Sequence, residues 1–384
     1  MMDWNNIKIT IFKEIRGIIR DKKSFEKLLI YPLLIPFIIL LFGVLFDSVN
    51  ETQYTVGINY NLTEEEKLIL NEMDDIETKH YDNKKELEDA YSNQEIQGYI
   101  IKQDDKYTIY ADAAQNSGSI IMAVASSYLE SYNMALANNY LIFNQINPND
   151  VFNNIEIKTE SLTKIKNESD MMLNLTYELV ITYVIMIITM VCVVVVTDAT
   201  SGEKERGTLE TILTFPLKSS ELVVGKYLAT TILGFIVGVI SYALSVPTLY
   251  VAKSMFKSFE SFSLTTSITS ILLAIFVILL AALLSAGVCM AFAGKTKTYK
   301  EAQSALQFVP MLPMIPYFLK VMEIDTFMFD LIPIANCGFA LSDIVVNKIN
   351  YQSLLIIIVT SIIYIAGILL YISKQYKSEE TLFS

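Results

Sequence analysis

The chain has 384 residues, 53% of them hydrophobic and 18% charged, with a formal net charge of −12. That apolar excess is above what an average soluble domain carries, and the acidic balance lacks the clustered Lys and Arg of a nucleic-acid binder. Three isolated cysteines and a single histidine supply neither a disulfide framework nor metal-ligand spacing, so His80 reads as a solvated surface residue.

Residues 1–27 are amphipathic. Ile7, Ile11, Ile15 and Ile18 fall on one helical face, and Lys13, Arg16 and Arg20 on the other. A cytoplasmic helix of this kind lies in the headgroup region with its basic side toward anionic lipid. An ordinary helix packed on another domain is the alternative. Residues 28–46 follow as an apolar run (Leu28–Phe46) long enough to cross a bilayer, which takes about 20 residues. A long charged segment precedes this run, and Pro32 and Pro36 lie within it, so it does not read as a cleaved signal peptide.

Residues 47–171 are rich in Asp and Glu and long enough to fold alone. Tyr54–Asn59 predicts a strand, and Gly98–Lys102 with Tyr107–Ala111 predict a hairpin. Helices are predicted over Thr63–Met73, Asn83–Ser92 and Ser117–Phe143, the last from apolar residues at helical spacing. The expectation is a small α+β domain.

Four further apolar runs are strong spans: Leu173–Thr197, closing residues 172–197, then Leu222–Tyr250, Ile268–Ala293 and Ser353–Ile372. Ala302–Leu319 is weaker, because Pro310, Pro313 and Pro316 interrupt it. Such prolines remove backbone hydrogen bonds, which is tolerable only against protein or a wet cavity. The fold class expected is an α-helical polytopic membrane protein with six transmembrane helices and a small extracellular α+β domain between the first and second spans. Spans three to six occupy residues 222–372, and residues 373–384 form a tail.

Basic residues set the orientation. Lys8 through Lys27 precede the first span, and Lys204, Arg206, Lys218 and Lys226 lie between the second and third. Lys295, Lys297 and Lys300 lie between the fourth and fifth, and Lys374 and Lys377 follow the last. With six spans all four segments share one side, which the positive-inside rule makes cytoplasmic. A multi-pass protein of the plasma membrane with both termini inside is the result.

The loop 198–221 is the most informative stretch. Thr200 and Glu203 have capping-box spacing, which predicts a helix start there. Thr208–Leu213 can make one or two turns that present Leu209, Ile212 and Leu213 on one side, and Pro216 ends the run. Such an element suits docking into a cleft of a soluble partner or resting on lipid.

The run Glu203-Lys204-Glu205-Arg206-Gly207-Thr208-Leu209-Glu210, followed by Pro216 and Gly225-Lys226, resembles the signature of ABC type-two exporter permeases. Lys300-Glu301-Ala302-Gln303, Ile332-Pro333-Ile334-Ala335-Asn336 and Glu380-Thr381-Leu382-Phe383 extend the resemblance to the NatB-like branch, named for sodium-exporting permeases. It covers essentially the whole chain. It implies a half-transporter with a re-entrant segment at 320–350 that works as a homodimer or beside a similar permease. It also implies a separate ABC ATP-binding subunit that holds ATP and Mg, with no cofactor on this chain. In that family the loop forms a coupling helix. Glu203, Glu205, Arg206 and Glu210 would orient it, with Leu209, Ile212 and Leu213 as anchors. Consistent with this, Gly294-Lys295-Thr296 has Cys289 where a P-loop needs its first glycine.

Glu178, Glu301, Gln303, Pro310, Pro313 and Asn336 are the candidate pathway or gating residues, and no metal-ligand set is legible. Interior polar residues are mostly hydroxyls, such as Thr182, Thr189, Ser245 and Ser285. They suit a sodium site, or else they bond their own backbone. Sodium export is the expected activity, with export of an amphiphilic peptide, antibiotic or lipid as the alternative. A membrane sensor that reads ligands with its outer domain is the rival from another class, but its cytoplasmic pieces would be too short to signal.

Overall fold

The computed structural model describes residues 3–50, 54–71, 76–104, 106–112, 116–148, 151, 168–208, 218–256, 259, 267–322, 331–345 and 351–375. They form two units, one of residues 1–47 and 165–384, the other of residues 48–164.

The first unit is helical. Helix α1 (Trp4–Arg20) and helix α2 (Lys22–Asn50) are separate, where the sequence suggested one N-terminal segment running to residue 27. Asp21 makes the break, because its extended backbone ends α1 while its carboxylate accepts the Ser24 N–H at 3.0 Å and caps α2. The Ser24 hydroxyl, helped by the Ser24 and Lys23 backbone N–H groups, holds the Asp21 carboxyl below the usual carboxylate range. One stripe of α1 (Ile7, Thr10, Glu14, Ile18) is buried, while Trp4, Phe12 and Ile19 remain exposed beside Lys8 and Arg16.

Five helices are long and apolar enough to cross a membrane, over Lys22–Leu45, Thr176–Glu205, Ser219–Met255, Ile268–Ala293 and Tyr351–Ile372. The first belongs to α2. The second joins α6 (Glu168–Thr197) to the turns that follow it. The other three are α7 (Ser219–Met255), α8 (Ile268–Ala293) and the helix that ends the unit. The second is the axle of the unit. Its most apolar window is 72% buried, against 17% for the last span, so the last span keeps the face that lipid must cover.

The proline-rich segment is not one helix. It divides into α9 (Tyr299–Leu306), a 3₁₀ helix (Val309–Met314) and α10 (Ile315–Val321). Pro310 and Pro313 lie within the middle piece and Pro316 in the first turn of α10, where the missing N–H groups forbid a continuous ladder. All three pieces pack along α6. The apolar helix α11 (Pro333–Val345) has 13 residues, about 20 Å, and is too short to cross. It closes on α6, where a Cβ on Gly338 would meet Thr182 Oγ1 at 3.1 Å. Helix α12 (Tyr351–Gln375) ends the unit.

The second unit is a three-layered α+β domain. Strands β1 (Tyr54–Ile58), β2 (Ile76–His80), β3 (Gly98–Gln103) and β4 (Lys106–Ala111) form a sheet in the order β2-β1-β3-β4. β1 pairs in parallel with β2 and β3, and β3 pairs antiparallel with β4. The sequence reading missed β2, whose residues Ile-Glu-Thr-Lys-His show only a half-buried edge pattern. Helices α3 (Glu64–Asn71) and α5 (Asn116–Phe143) cover the face that presents Val56, Ile58 and Ile100. Helix α4 (Lys84–Ser92) covers the other, through Leu87, Ile96, Tyr99 and Ile101. His80 is exposed.

Two glycines of α7 let the helices close. A Cβ at Gly238 would lie 2.7 Å from Ile188 of α6 and 2.9 Å from Ile278 of α8, and one at Gly234 would lie 3.0 Å from Cys192 Sγ. Gly238→Leu should therefore overpack the bundle by about 1–3 kcal/mol and lower the thermal midpoint of the purified protein. Gly367→Ala, with nothing within 4 Å, should leave the midpoint unchanged or raise it. Equal midpoints for Gly238→Leu and wild type would show that these helices are not in contact.

Candidate coupling site

Helix α6 does not stop at the membrane boundary. It continues through a π-helical turn, Asp198–Gly202, into a single α-turn, Glu203–Glu205. This corrects the helix start predicted at Thr200. The Thr200 backbone is already helical and its hydroxyl donates to the Val196 carbonyl at 2.7 Å, so no free helix end exists there to cap. The turn ends at Gly207, whose φ of +67° few other residues adopt cheaply and whose N–H donates to the Lys204 carbonyl at 3.1 Å. Arg206 donates to the Asp198 carboxylate at 2.9 Å and to its carbonyl at 3.3 Å. The pair is largely exposed, so it orients the turn more than it stabilises the fold.

Beneath this turn lies a buried charge cluster. Lys226 of α7 is 2% exposed, and its ammonium is bonded to the Glu203 carboxylate and the Ala199 carbonyl. Glu14 of α1 stands 3.8 Å from the same ammonium. Lys13 is bonded to Glu203 and lies 2.9 Å from Glu14. Burial pushes the Glu14 carboxyl above its usual range, with Lys226 opposing the rise and Glu203 adding to it. Two carboxylates and two ammonium groups thus balance in a site largely closed to water. The backbone permits it, since a Cβ at Gly225 would sit 2.5 Å from the Thr10 side chain and hold α1 away. Glu221 completes the junction by accepting from Asp3 N–H and Asn6 Nδ2, each at 2.8 Å.

The other side of the turn is seated on the segment that follows α8. Lys204 donates to the carbonyls of Gly294 and Thr296, each at 3.2 Å, and Ser201 bonds the Thr296 hydroxyl at 2.6 Å. The Glu205 carboxylate accepts the Tyr299 N–H at 2.7 Å. Gly294-Lys295-Thr296 therefore serves as a seat for this loop. Thr208 is described, and its hydroxyl donates to the Glu203 carbonyl at 3.3 Å. Leu209, Glu210, Ile212, Leu213 and Pro216, with the predicted helix they would form, lie outside the described residues, as does Glu380-Thr381-Leu382-Phe383.

The expected pathway residues divide. Gln303 and Pro310 meet at a cleft of about 140 Å³ that Lys27, Tyr31, Thr197 and Tyr299 also line. Pro313 is buried within the 3₁₀ helix, and Asn336 within α11. Glu178 lies half-buried on α6. Glu301 caps α9, since its carboxylate accepts the Lys297 N–H at 2.9 Å while its own N–H donates to Thr298 Oγ1 at 3.2 Å. Hydroxyls inside the spans are engaged close to home. Thr182, Thr189 and Ser245 donate to backbone carbonyls three or four residues earlier, and Ser285 bonds Thr189 at 3.0 Å.

Sequence reasoning missed Glu14, Lys13 and Lys226 as partners of Glu203. A signal was present, because Glu14 interrupts an otherwise apolar and small stripe of α1. Lys226→Met should leave two buried carboxylates to share the partly exposed Lys13 alone and cost about 3–5 kcal/mol, read as a large fall in thermal midpoint. Adding Glu203→Gln should restore part of the loss. A single mutant as stable as wild type would show that the cluster holds nothing.

Residues 27–371 match the family described as ABC-2 family transporter protein. A curated relative, the ABC transporter permease protein NatB of Bacillus subtilis (strain 168), is 25% identical over 315 residues, which cover 80% of each chain. The matched region takes in all or nearly all of each of the five apolar helices, the turn that extends the second of them, and Glu203 and Lys226 of the buried cluster. The chain belongs to the ABC-2 family of transporter proteins.

Proposed function

We propose that this chain is the membrane half of an ATP-driven exporter whose power comes from a separate ATP-binding subunit docked on residues 198–217. The observation that carries this reading is Glu203, held between Lys13 of α1 and Lys226 of α7. A push on the turn is thereby shared by α1, α6 and α7, where a loose loop would absorb it. Closure of the ATP-binding subunits would tilt these helices together and alternate access to a pathway along a dimer axis. Glu205, Arg206 and Glu210 would fix the docking face, and Leu209, Ile212 and Leu213 would fill the partner's cleft.

In this reading the broken segment is the fifth of six spans. Its three pieces add up to about 34 Å if collinear, against about 30 Å of hydrocarbon. An even number of spans keeps the basic segments on the cytoplasmic side, along with both termini, and turns the α+β domain outward. Trp4, Phe12 and Ile19 of α1 would rest in the inner headgroup layer.

The cargo we propose is sodium, on the NatB-like motifs. Export of an amphiphile is the second reading. It is favoured by span hydroxyls engaged within the helices and by the cleft at Gln303 and Pro310, with its Lys27 and Tyr31 rim.

Two measurements test the architecture. An impermeant thiol reagent applied to intact cells should label Ser117→Cys and spare Ser219→Cys, with little background because Cys192, Cys289 and Cys337 are buried. Labelling of position 219 would overturn the six-span arrangement. Leu209→Asp should leave insertion intact and abolish cargo-stimulated ATP hydrolysis, since an unpaired carboxylate buried in a cleft costs several kcal/mol. Full stimulation in that variant would remove the loop as the coupling element. For the cargo, vesicles holding permease and ATP-binding subunit should show sodium efflux that a hydrolysis-dead subunit lacks. Equal efflux in both would leave the amphiphile.

A further inference from the structure

Among the described residues of the α+β domain, one carboxylate is wholly buried. Glu66 of α3 is 0% exposed. It accepts the Tyr107 hydroxyl at 3.2 Å, the Tyr128 hydroxyl at 3.0 Å and the Thr63 N–H at 2.7 Å. Tyr107 and Tyr128 thus point their hydroxyls inward and turn their rings into structure. Lys102 of β3 lies above this layer, 4.8 Å from the Tyr107 ring centroid and 5.5 Å from that of Tyr60. Those two rings meet edge to face at 84°, which fixes the platform. No carboxylate of the described residues makes a salt bridge to Lys102, although the chain carries 41 acidic residues.

The ammonium faces a cavity of about 420 Å³, the size of a small-molecule site. Tyr107, Tyr132 and Asn133 line it with Lys102, and Leu129 and Leu136 of α5 supply an apolar wall. Tyr132 is only 8% exposed, and what it exposes lines this cavity. A cation and a phenol therefore border a space with one apolar side.

We propose that this cavity binds a small anionic amphiphile. Its carboxylate or phosphate head would take the Lys102 ammonium and the Tyr132 hydroxyl, with Asn133 beside them. An apolar body of several carbons would lie against Leu129 and Leu136. The selectivity follows from the walls. A neutral alcohol leaves the ammonium unanswered, and a second cation meets Lys102 as a like charge.

The test uses the full-length protein in nanodiscs of zwitterionic lipid, with radiolabelled octanoate as probe and excess unlabelled octanoate to define the specific signal. Wild type should bind saturably, and 1-octanol should fail to compete. Lys102→Gln should weaken binding by about 10- to 100-fold, as expected for a charge-assisted hydrogen bond, and Tyr132→Phe by about threefold or more. Lys106→Gln, which alters an exposed lysine nearby and outside the cavity, should bind like wild type. Thermal midpoints equal to wild type in all three variants would exclude misfolding as the cause. Displacement by soluble octyl phosphate but not by phosphatidic acid in the nanodisc would identify a free metabolite as the ligand. The converse would identify a bilayer lipid. Absence of saturable octanoate binding to wild type, or wild-type affinity in Lys102→Gln, would overturn the proposal.

Discussion

The junction of α1, α6 and α7 depends on where one ammonium group is placed. Lys226 sits near the start of a 37-residue helix and is almost fully enclosed. Taking a cation from water costs several kcal/mol, and only close opposite charge with good hydrogen bonds offsets it. Here the offset comes from three different elements: Glu203 and the Ala199 carbonyl beyond α6, and Glu14 on α1. Separating any of them takes a partner from a buried charge, so the cluster resists their moving apart.

That constraint gives the remaining contacts their sense. Lys204, Ser201 and Glu205 tie the same turn to the segment between α8 and α9, so a displacement at the loop also reaches the start of the broken helix. The broken helix is the compliant member of the set. Its prolines leave carbonyls without intrahelical partners, and its 3₁₀ middle is tighter and less favourably bonded than an α-helix. A cleft opens beside it at Gln303 and Pro310. In the export cycle we propose, α6 and this broken neighbour would be the pair that opens and closes a path.

The α+β domain is organised on a different principle. Its sheet is covered on both faces by its own helices, and buried hydroxyls are gathered around Glu66. Tyrosines do most of that work, because each offers a large apolar ring together with one hydroxyl that can reach a partner. Tyr107 also lines the cavity beside Lys102, together with Tyr132.

The sequence by itself determined the class, the five long apolar helices and most of the α+β domain. A bilayer demands long uncharged runs, and strands and helices impose periods that survive without tertiary context. The hairpin, α4 and α5 were legible for that reason, while β2 was not, since an edge strand needs no alternating apolar residues. The family signature was legible in Glu203 through Glu210, because it is a run of consecutive residues. Its partners were not. Lys13, Glu14 and Lys226 are ordinary charged residues until folding places them within reach of Glu203 from 190 and 23 positions away. The apparent helix start at Thr200 misled for the same reason: spacing cannot tell whether a preceding helix has ended. Periodicity is written along the chain. The pairing of buried charges is decided only when distant segments exclude water together, and that belongs to the tertiary structure.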